Sequence, residues 1–321
     1  MPETLQLALS NLSSAPVIAF ILGLVVVAIK SQLSIPNQVF EFISIYLLLA
    51  IGIKGGVALY GVPVDQIGLP VLLSVALGIL IPLVVFFTLR YLTPLNRVNR
   101  GALAAHYGST SLVTFTAGLV FIEQAKMTFE GYLPALLAVM EVPGIIVGIL
   151  LAKRMAGKGS MKPLLHEVFT GKSVVLLLGG IAIGLISGPV GYAKVEPFFG
   201  SLFTGMLTIF LLQLGIQAGQ SLVHAKSAGP GLVAFAALFP FASGALGVVS
   251  AQAIGMSEGG SIAFGLLCAS ASYIAVPAVL RYALPEANPS VYFGMSLGVT
   301  FPLNILLGIP LYVSLAKATL P

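Results

Sequence analysis

Apolar residues run along the chain in long stretches, and short polar or charged stretches separate them. A helix needs ~20 consecutive apolar residues to cross a bilayer. Ten stretches approach this length, at about 15–31, 38–59, 68–91, 101–121, 132–153, 172–190, 197–222, 230–253, 259–281 and 290–315. The pattern therefore predicts an all-α polytopic membrane protein with ten transmembrane helices.

Composition supports the membrane assignment and excludes other classes. Of the 321 residues, 58% are hydrophobic and only 8% are charged, whereas a soluble domain has roughly 25% charged residues. A soluble core would leave much of this apolar surface in water. The composition therefore argues against soluble enzymes, nucleic-acid-binding modules and disordered proteins.

Basic residues predict how the chain is oriented. Loops after the first, third, fifth, seventh and ninth segments hold eleven of the fifteen Lys and Arg residues. Six acids fall on the other side: Glu3, Asp65, Glu123, Glu130, Glu196 and Glu258. Positively charged loops usually face the cytoplasm. We therefore expect a multi-pass protein of the plasma (inner) membrane with both termini extracytoplasmic, and we expect no nucleic-acid partner.

Three motifs recur at a spacing of about 160 residues. The matches join 51–56 with 214–219, 108–111 with 269–272, and 139–143 with 299–302. Repeated motifs in one order indicate an internal repeat. We predict a first five-helix repeat over 1–153, a cytoplasmic linker over 154–171 and a second five-helix repeat over 172–321. Because each repeat has an odd number of helices, the second is inverted. Secondary transporters commonly have this architecture, and a channel remains an alternative.

Small polar residues interrupt the fourth and ninth apolar segments, which predicts that both helices are broken there. A broken helix presents free N–H groups and a positive dipole end that bind anions. The candidate substrate-binding residues are Gly108, Ser109, Thr110, Ser111, Ala269, Ser270, Ala271 and Ser272. The alternative is that these small residues only allow close helix packing.

Glu141 is the one acid that the segment boundaries place at membrane depth. Such a carboxylate is a functional candidate by default. The matching part of the last segment offers the neutral oxygens of Thr300 and Asn304. Hard oxygen ligands suit an alkali cation, so we predict sodium at Glu141, Thr300 and Asn304. The alternative is a structural Glu141 that is protonated or paired with Lys54.

His106 precedes Ser109 by three residues, which raises the alternative of an intramembrane hydrolase. No nucleophile motif accompanies the pair, so we expect a protein that is not an enzyme. We also expect no cofactor, with sodium acting as a co-substrate.

The stretches 108–115, 270–277 and Glu141-Val142-Pro143-Gly144 resemble the sodium-dependent bicarbonate transporter family known from cyanobacteria. The resemblance covers nearly the whole chain. It implies ten helices in two inverted repeats, a core domain that moves against a gate domain, a homotrimer, and import of sodium with bicarbonate. It also implies a soluble PII-like regulator at the cytoplasmic face, although the central loop is short for that role.

By this resemblance, the anion lies between the breaks at 108–111 and 269–272, and sodium lies beside Glu141, Thr300 and Asn304. The sequence therefore predicts a secondary active symporter for bicarbonate and sodium. Two alternatives stay open, a sodium/organic-anion symporter of similar design and an anion-selective channel.

Overall fold

The computed structural model describes residues 9, 11–63, 65–153, 161–225 and 229–319. All regular structure in these ranges is helical. The first half contains α1 (Ala15–Ala28), α2 (Asn37–Leu59), α3 (Asp65–Leu92), α4 (Arg97–Gly108), α5 (Leu112–Gln124) and α6 (Leu133–Lys153). The predicted linker contains α7 (Met161–Phe169), and its residues 154–160 lie outside the described ranges.

The second half continues with the same kind of structure. It contains α8 (Lys172–Ala193), a π-helical turn at Pro197–Ser201, α9 (Phe203–Ala225), α10 (Pro230–Ala253), α11 (Glu258–Ala269) and α12 (Ala275–Ala283). The last helix, α13, covers Pro289–Thr319. It contains two π-helical segments, Gly294–Thr300 and Asn304–Gly308.

Seven helical stretches of the described residues are long and apolar enough to cross a membrane. They are α2, α3, α6, α8, Pro197–Leu222, α10 and α13. The protein is therefore a multi-pass membrane protein. Helices α4, α5 and α11 have 12, 13 and 12 residues, and each is shorter than the ~30 Å apolar thickness of a bilayer. The count of ten helices stays a prediction, because it takes each interrupted helix as one span.

Glycines bring α1 against α9 and α2 against α8. A Cβ on Gly215 of α9 would lie 2.1 Å from the carbonyl oxygen of Phe20. A Cβ on Gly56 of α2 would lie 2.1 Å from the carbonyl oxygen of Ile181. Only glycine permits such backbone contact, which is typical of helix packing in membranes. We call α1, α2, α8 and α9 the gate group.

We call helices α3–α6 and α10–α13 the core group, and α7 belongs to neither group. The end of α4 is wedged between α3 and α6. A Cβ on Gly144 of α6 would lie 1.9 Å from the carbonyl oxygen of Gly108, and one on Gly108 would lie 2.7 Å from the ring of Pro82. The Glu141-Val142-Pro143-Gly144 stretch therefore has a packing role as well as a carboxylate.

The surface of the molecule is apolar over large areas, unlike that of a soluble protein. Large apolar side chains lie on its surface, with Ile186 87% exposed and Val190 79% exposed. The hydroxyl residues of the two predicted breaks are buried instead. Lipid is the medium that suits this arrangement.

Candidate functional site

The first break separates α4 from α5 inside the core group. Helix α4 ends at Gly108, and Ser109 and Ser111 have extended backbone conformations. The Ser111 hydroxyl accepts a hydrogen bond from the Thr114 N–H at 3.3 Å. Ser111 thus caps the N-terminus of α5, and a Ser at this position is among the best N-caps.

The second break separates α11 from α12. Helix α11 ends at Ala269, Ser270 is extended, and α12 begins at Ala275. The residue before α12 is Ile274, which provides no side-chain cap. The first N–H groups of α12 therefore have no partner from an N-cap side chain.

The two breaks cross and are hydrogen-bonded to each other. The Ser111 N–H donates to the Ser270 hydroxyl at 2.8 Å. The Ser272 N–H donates to the carbonyl oxygen of His106 at 2.8 Å. The His106 ring donates from Nδ1 to the carbonyl oxygen of Ser272. These bonds join residues about 160 positions apart and hold both interruptions at one place in the fold.

A small cavity lies at this crossing. Its volume is about 10 Å³, which is the space of roughly one water molecule. Ser111 and Leu112 bring the N-terminus of α5 to the cavity, and Ile274 and Ala275 bring the N-terminus of α12. Both half-helices therefore direct the positive ends of their dipoles at the same space.

Glu141 faces this cavity from α6. Its side chain is 5% exposed, and the cavity wall also includes Thr110 and Ser272. Within the described residues, no hydrogen bond or ion pair reaches the Glu141 carboxylate. An unpartnered carboxylate in such a place is expensive unless a cation or proton accompanies it.

Lys54 pairs with Glu123 rather than with Glu141. The Lys54 Nζ lies 3.4 Å from Oε1 of Glu123 and 5.2 Å from the centroid of the Phe203 ring. The structural alternative in which Lys54 neutralises Glu141 is therefore wrong. The ion pair joins α2 of the gate group to α5 of the core group.

A larger cavity, of about 230 Å³, meets the small one. Glu141, Ser173 and Ile274 line both cavities. The rest of the larger wall includes Glu167 of α7 and Lys172 of α8. The larger cavity therefore lies between the Glu141 cavity and α7, on the side that the basic loops predict to be cytoplasmic.

Thr300 and Asn304 make other contacts. The Thr300 hydroxyl donates to the carbonyl oxygen of Ala236 at 2.7 Å and lies 2.7 Å from the Tyr107 hydroxyl. The Asn304 Nδ2 donates to the carbonyl oxygen of Ala269 at 2.8 Å, and its Oδ1 is buried without a partner among the described residues. Neither residue lines the Glu141 cavity. Their participation in one sodium site with Glu141 stays a prediction.

Comparison with known families identifies the chain. The profile of the Na+-dependent bicarbonate transporter superfamily matches residues 15–317. The chain belongs to this superfamily. No curated protein matches the sequence. Because the family consists of transporters, the protein is not an enzyme, and the hydrolase alternative for His106 and Ser109 is set aside.

In this member of the superfamily, the eight predicted substrate-binding residues divide into two sets. Thr110, Ser111 and Ser272 line the small cavity. The others form the ends and crossing of the broken helices: Gly108, Ser109, Ala269, Ser270 and Ala271. The Ser109 hydroxyl is buried and has no partner among the described residues.

Sequence reasoning missed two residues that line the candidate site. Tyr273 and Ser173 both line the cavity. Tyr273 directly follows the predicted break at 269–272, where an aromatic residue in an apolar segment looks like a packing residue. Ser173 lies in the first turn of α8, where a polar residue looks like the end of a loop. It also missed the role of His106, because the ring contacts a carbonyl group 166 residues away.

Proposed function

We propose that the protein is a secondary active symporter that imports bicarbonate with sodium by alternating access. One observation carries the proposal. The N-termini of two broken helices and the unpartnered carboxylate of Glu141 meet at one cavity among buried residues. This arrangement offers complementary charge to an anion and to a cation at neighbouring positions.

The N-termini of the broken helices would bind the anion. No Lys or Arg is among the residues that line the small cavity, so the positive potential there comes from the dipoles and N–H groups of α5 and α12. Bicarbonate has three oxygens that accept hydrogen bonds. The hydroxyls of Ser111 and Ser272 add donors of matching chemistry.

The Glu141 carboxylate would bind the sodium ion. A bound sodium ion would neutralise the buried carboxylate, and the hydroxyl oxygens at the crossing are hard donors that suit it. Thr300 and Asn304 remain proposed further ligands, and the unpartnered Oδ1 of Asn304 supports that role.

Charge balance favours the coupled mechanism. An anion that enters a negative-inside cell works against ~2.3 kcal/mol per 100 mV. One sodium ion per bicarbonate makes the load neutral and removes this penalty. A tenfold sodium gradient then provides ~1.4 kcal/mol, which suffices for tenfold accumulation.

Two inverted repeats of five helices provide the movement in this proposal. The packing of α1 on α9 mirrors that of α2 on α8, as an inverted pair of repeats requires, and this supports the repeat. A cavity of about 10 Å³ is smaller than bicarbonate. The core group would therefore move relative to the gate group to admit the ion through the larger cavity.

Assembly is a further part of the proposal. A homotrimer would hold the gate groups together while each core group moves. A PII-like regulator would bind at the cytoplasmic face, near the predicted linker 154–171, of which residues 154–160 lie outside the described ranges.

Uptake of radiolabelled bicarbonate into proteoliposomes tests the function. We expect uptake to follow an inward sodium gradient and to stop when potassium replaces sodium. Equal uptake without sodium would contradict symport and would favour the anion-selective channel. Stronger inhibition by an unlabelled small carboxylate than by unlabelled bicarbonate would favour the sodium/organic-anion symporter.

A further inference from the structure

Three arginines converge where α3 ends and α4 begins. Arg90 lies in the last turn of α3, and Arg97 and Arg100 lie in the first turn of α4. The guanidinium carbons of Arg97 and Arg100 lie 5.5 and 5.1 Å from the centroid of the Phe86 ring. Cation–π contacts of this length hold both groups over one ring. We call the three residues the arginine cluster.

Among the described residues, no carboxylate forms an ion pair with the arginine cluster. The ion pairs seen there, Lys54–Glu123 and Lys172–Glu41, lie elsewhere. Glu286 lies in the neighbouring α12–α13 loop, which Asn99 fastens to α4 by accepting from the Asn288 N–H at 2.8 Å. Glu286 nevertheless forms no ion pair with the cluster.

The positive charges of the cluster also repel one another. The charges of Arg90 and Arg97 act against that of Arg100, and cations in the first turn of a helix oppose its dipole. Arg97 Nε donates to the carbonyl oxygen of Leu151 at 2.7 Å, whereas Arg100 Nε is buried without a partner among the described residues. An anion with several oxygens would satisfy both the charges and the free donors.

The surroundings indicate where that anion comes from. Beside the cluster, α3 exposes large apolar side chains, with Phe87 46%, Tyr91 81% and Leu92 51% exposed. Apolar side chains next to a Tyr and several arginines are typical of the boundary between lipid tails and headgroups. A ligand that reaches both surfaces has an apolar tail and an anionic head.

We propose that Arg90, Arg97 and Arg100 form a binding site for the phosphate of an anionic membrane phospholipid. One guanidinium group can donate two parallel hydrogen bonds to two oxygens of a phosphate, which favours arginine over lysine at a phosphate-binding site. The lipid would hold the start of α4, whose other end forms the first break at Gly108. This inference is independent of the proposed transport function.

Thermal unfolding of the purified protein tests the site. In detergent micelles, we expect phosphatidylglycerol to raise the unfolding midpoint more than phosphatidylcholine does. The R97Q/R100Q variant should lose most of this difference between the two lipids. The R100K variant should show a difference between those of the unaltered protein and R97Q/R100Q. The matched control R281Q removes an arginine from outside the cluster and should respond as the unaltered protein does.

Direct lipid titration extends the test. Each arginine lost should weaken phosphatidylglycerol binding about fivefold. If R97Q/R100Q does not fold, R90Q at the exposed end of the cluster provides the same comparison. An R97Q/R100Q or R90Q protein with unchanged lipid affinity would overturn the proposal. An equal rise in the unfolding midpoint with inorganic phosphate would mean that the cluster binds free phosphate, and it would overturn the proposal of a lipid ligand.

Discussion

Each half of the molecule has a broken helix at the crossing, but the residues around the two breaks differ in their chemistry. In the first half, Ser111 caps α5, and the Glu141 carboxylate faces the cavity with no hydrogen bond or ion pair from the described residues. In the second half, Ile274 leaves α12 without a side-chain cap, and Thr300 and Asn304 bond to backbone carbonyl groups. The frame is similar in both halves, but the chemistry differs between them.

This difference indicates a division of roles. The carboxylate in the first half is available to a ligand, whereas Thr300 in the second half fastens α13 to α10 and to Tyr107 of α4. Buried polar groups that are satisfied add rigidity, and a buried charge without a partner marks a functional position. We therefore expect substitutions in the first half to affect mainly ion coupling and those in the second half to affect mainly stability.

The largest expected effect is that of E141Q. Glutamine keeps the size of the side chain but removes the charge that would hold sodium. Loss of one member of a buried charge pair weakens binding on the order of 100-fold. Sodium-driven bicarbonate uptake into proteoliposomes should therefore be lost, while the amount of folded protein in the membrane stays the same.

A matched acid provides the control for E141Q. Glu286 is exposed on the loop between α12 and α13, so E286Q removes one negative charge away from the cavity. E286Q should transport as the unaltered protein does. Normal sodium-driven uptake by E141Q would remove Glu141 from the mechanism.

Substitution of His106 should have the next largest effect, because its ring joins the two halves at the crossing. H106F would leave the buried carbonyl oxygen of Ser272 without its ring donor, which costs about 2 kcal/mol. We expect a lower unfolding midpoint in thermal denaturation and reduced uptake.

H106N separates the hydrogen bond from the ring. An asparagine amide can donate from near the position of Nδ1, but it loses the stacking of the ring on Tyr292, whose centroid is 4.6 Å away. H106N should therefore recover most of the stability and uptake that H106F loses. If H106F and H106N behave alike, the bond to Ser272 does not hold the crossing.

T300V tests the second half directly. Valine matches threonine in shape but leaves the carbonyl oxygen of Ala236 and the Tyr107 hydroxyl without this partner, at a cost of about 1–2 kcal/mol. As a proposed neutral ligand, Thr300 should contribute less to sodium binding than the Glu141 carboxylate, so sodium affinity measured by titration should fall by no more than about fivefold. A loss of sodium affinity as large as that of E141Q would erase the contrast between the halves.

The smallest expected effect is that of the Lys54–Glu123 ion pair, which joins the gate group to the core group. Its side chains are 35% and 43% exposed, and ion pairs this exposed contribute about 0–1 kcal/mol. A double-mutant cycle of K54Q and E123Q on the uptake rate should give a coupling below about fivefold. A larger coupling would make the pair a principal contact between the groups.

Much of the fold follows from local sequence patterns. The hydroxyl residues within two apolar stretches predict interruptions near 108–111 and 269–272, and the structure has helix ends at Gly108 and Ala269. The signal comes from the occurrence of two such clusters at matching positions of the repeat, because Ser, Thr and Gly in a single apolar run also allow close helix packing. The helical class and the membrane assignment rest on the same periodicity and composition.

The contacts between distant residues could not be read in this way. His106 meets Ser272 across 166 positions, and Lys54 finds Glu123 rather than Glu141. No local pattern specifies such pairs, because they depend on how whole helices pack. The π-helical segments of α13 likewise carry no composition signal, although they place the Thr300 and Asn304 side chains.

The reciprocal effect of the two ions on each other tests the central claim most directly. Bicarbonate affinity of the purified protein would be measured by titration at several sodium concentrations, for the unaltered protein and for E141Q. If both ions occupy the Glu141 cavity, sodium should tighten bicarbonate binding at least about tenfold, and bicarbonate should tighten sodium binding by the same factor. E141Q should bind bicarbonate with an affinity that does not depend on sodium. An unaltered protein whose bicarbonate affinity is the same with and without sodium would contradict the account.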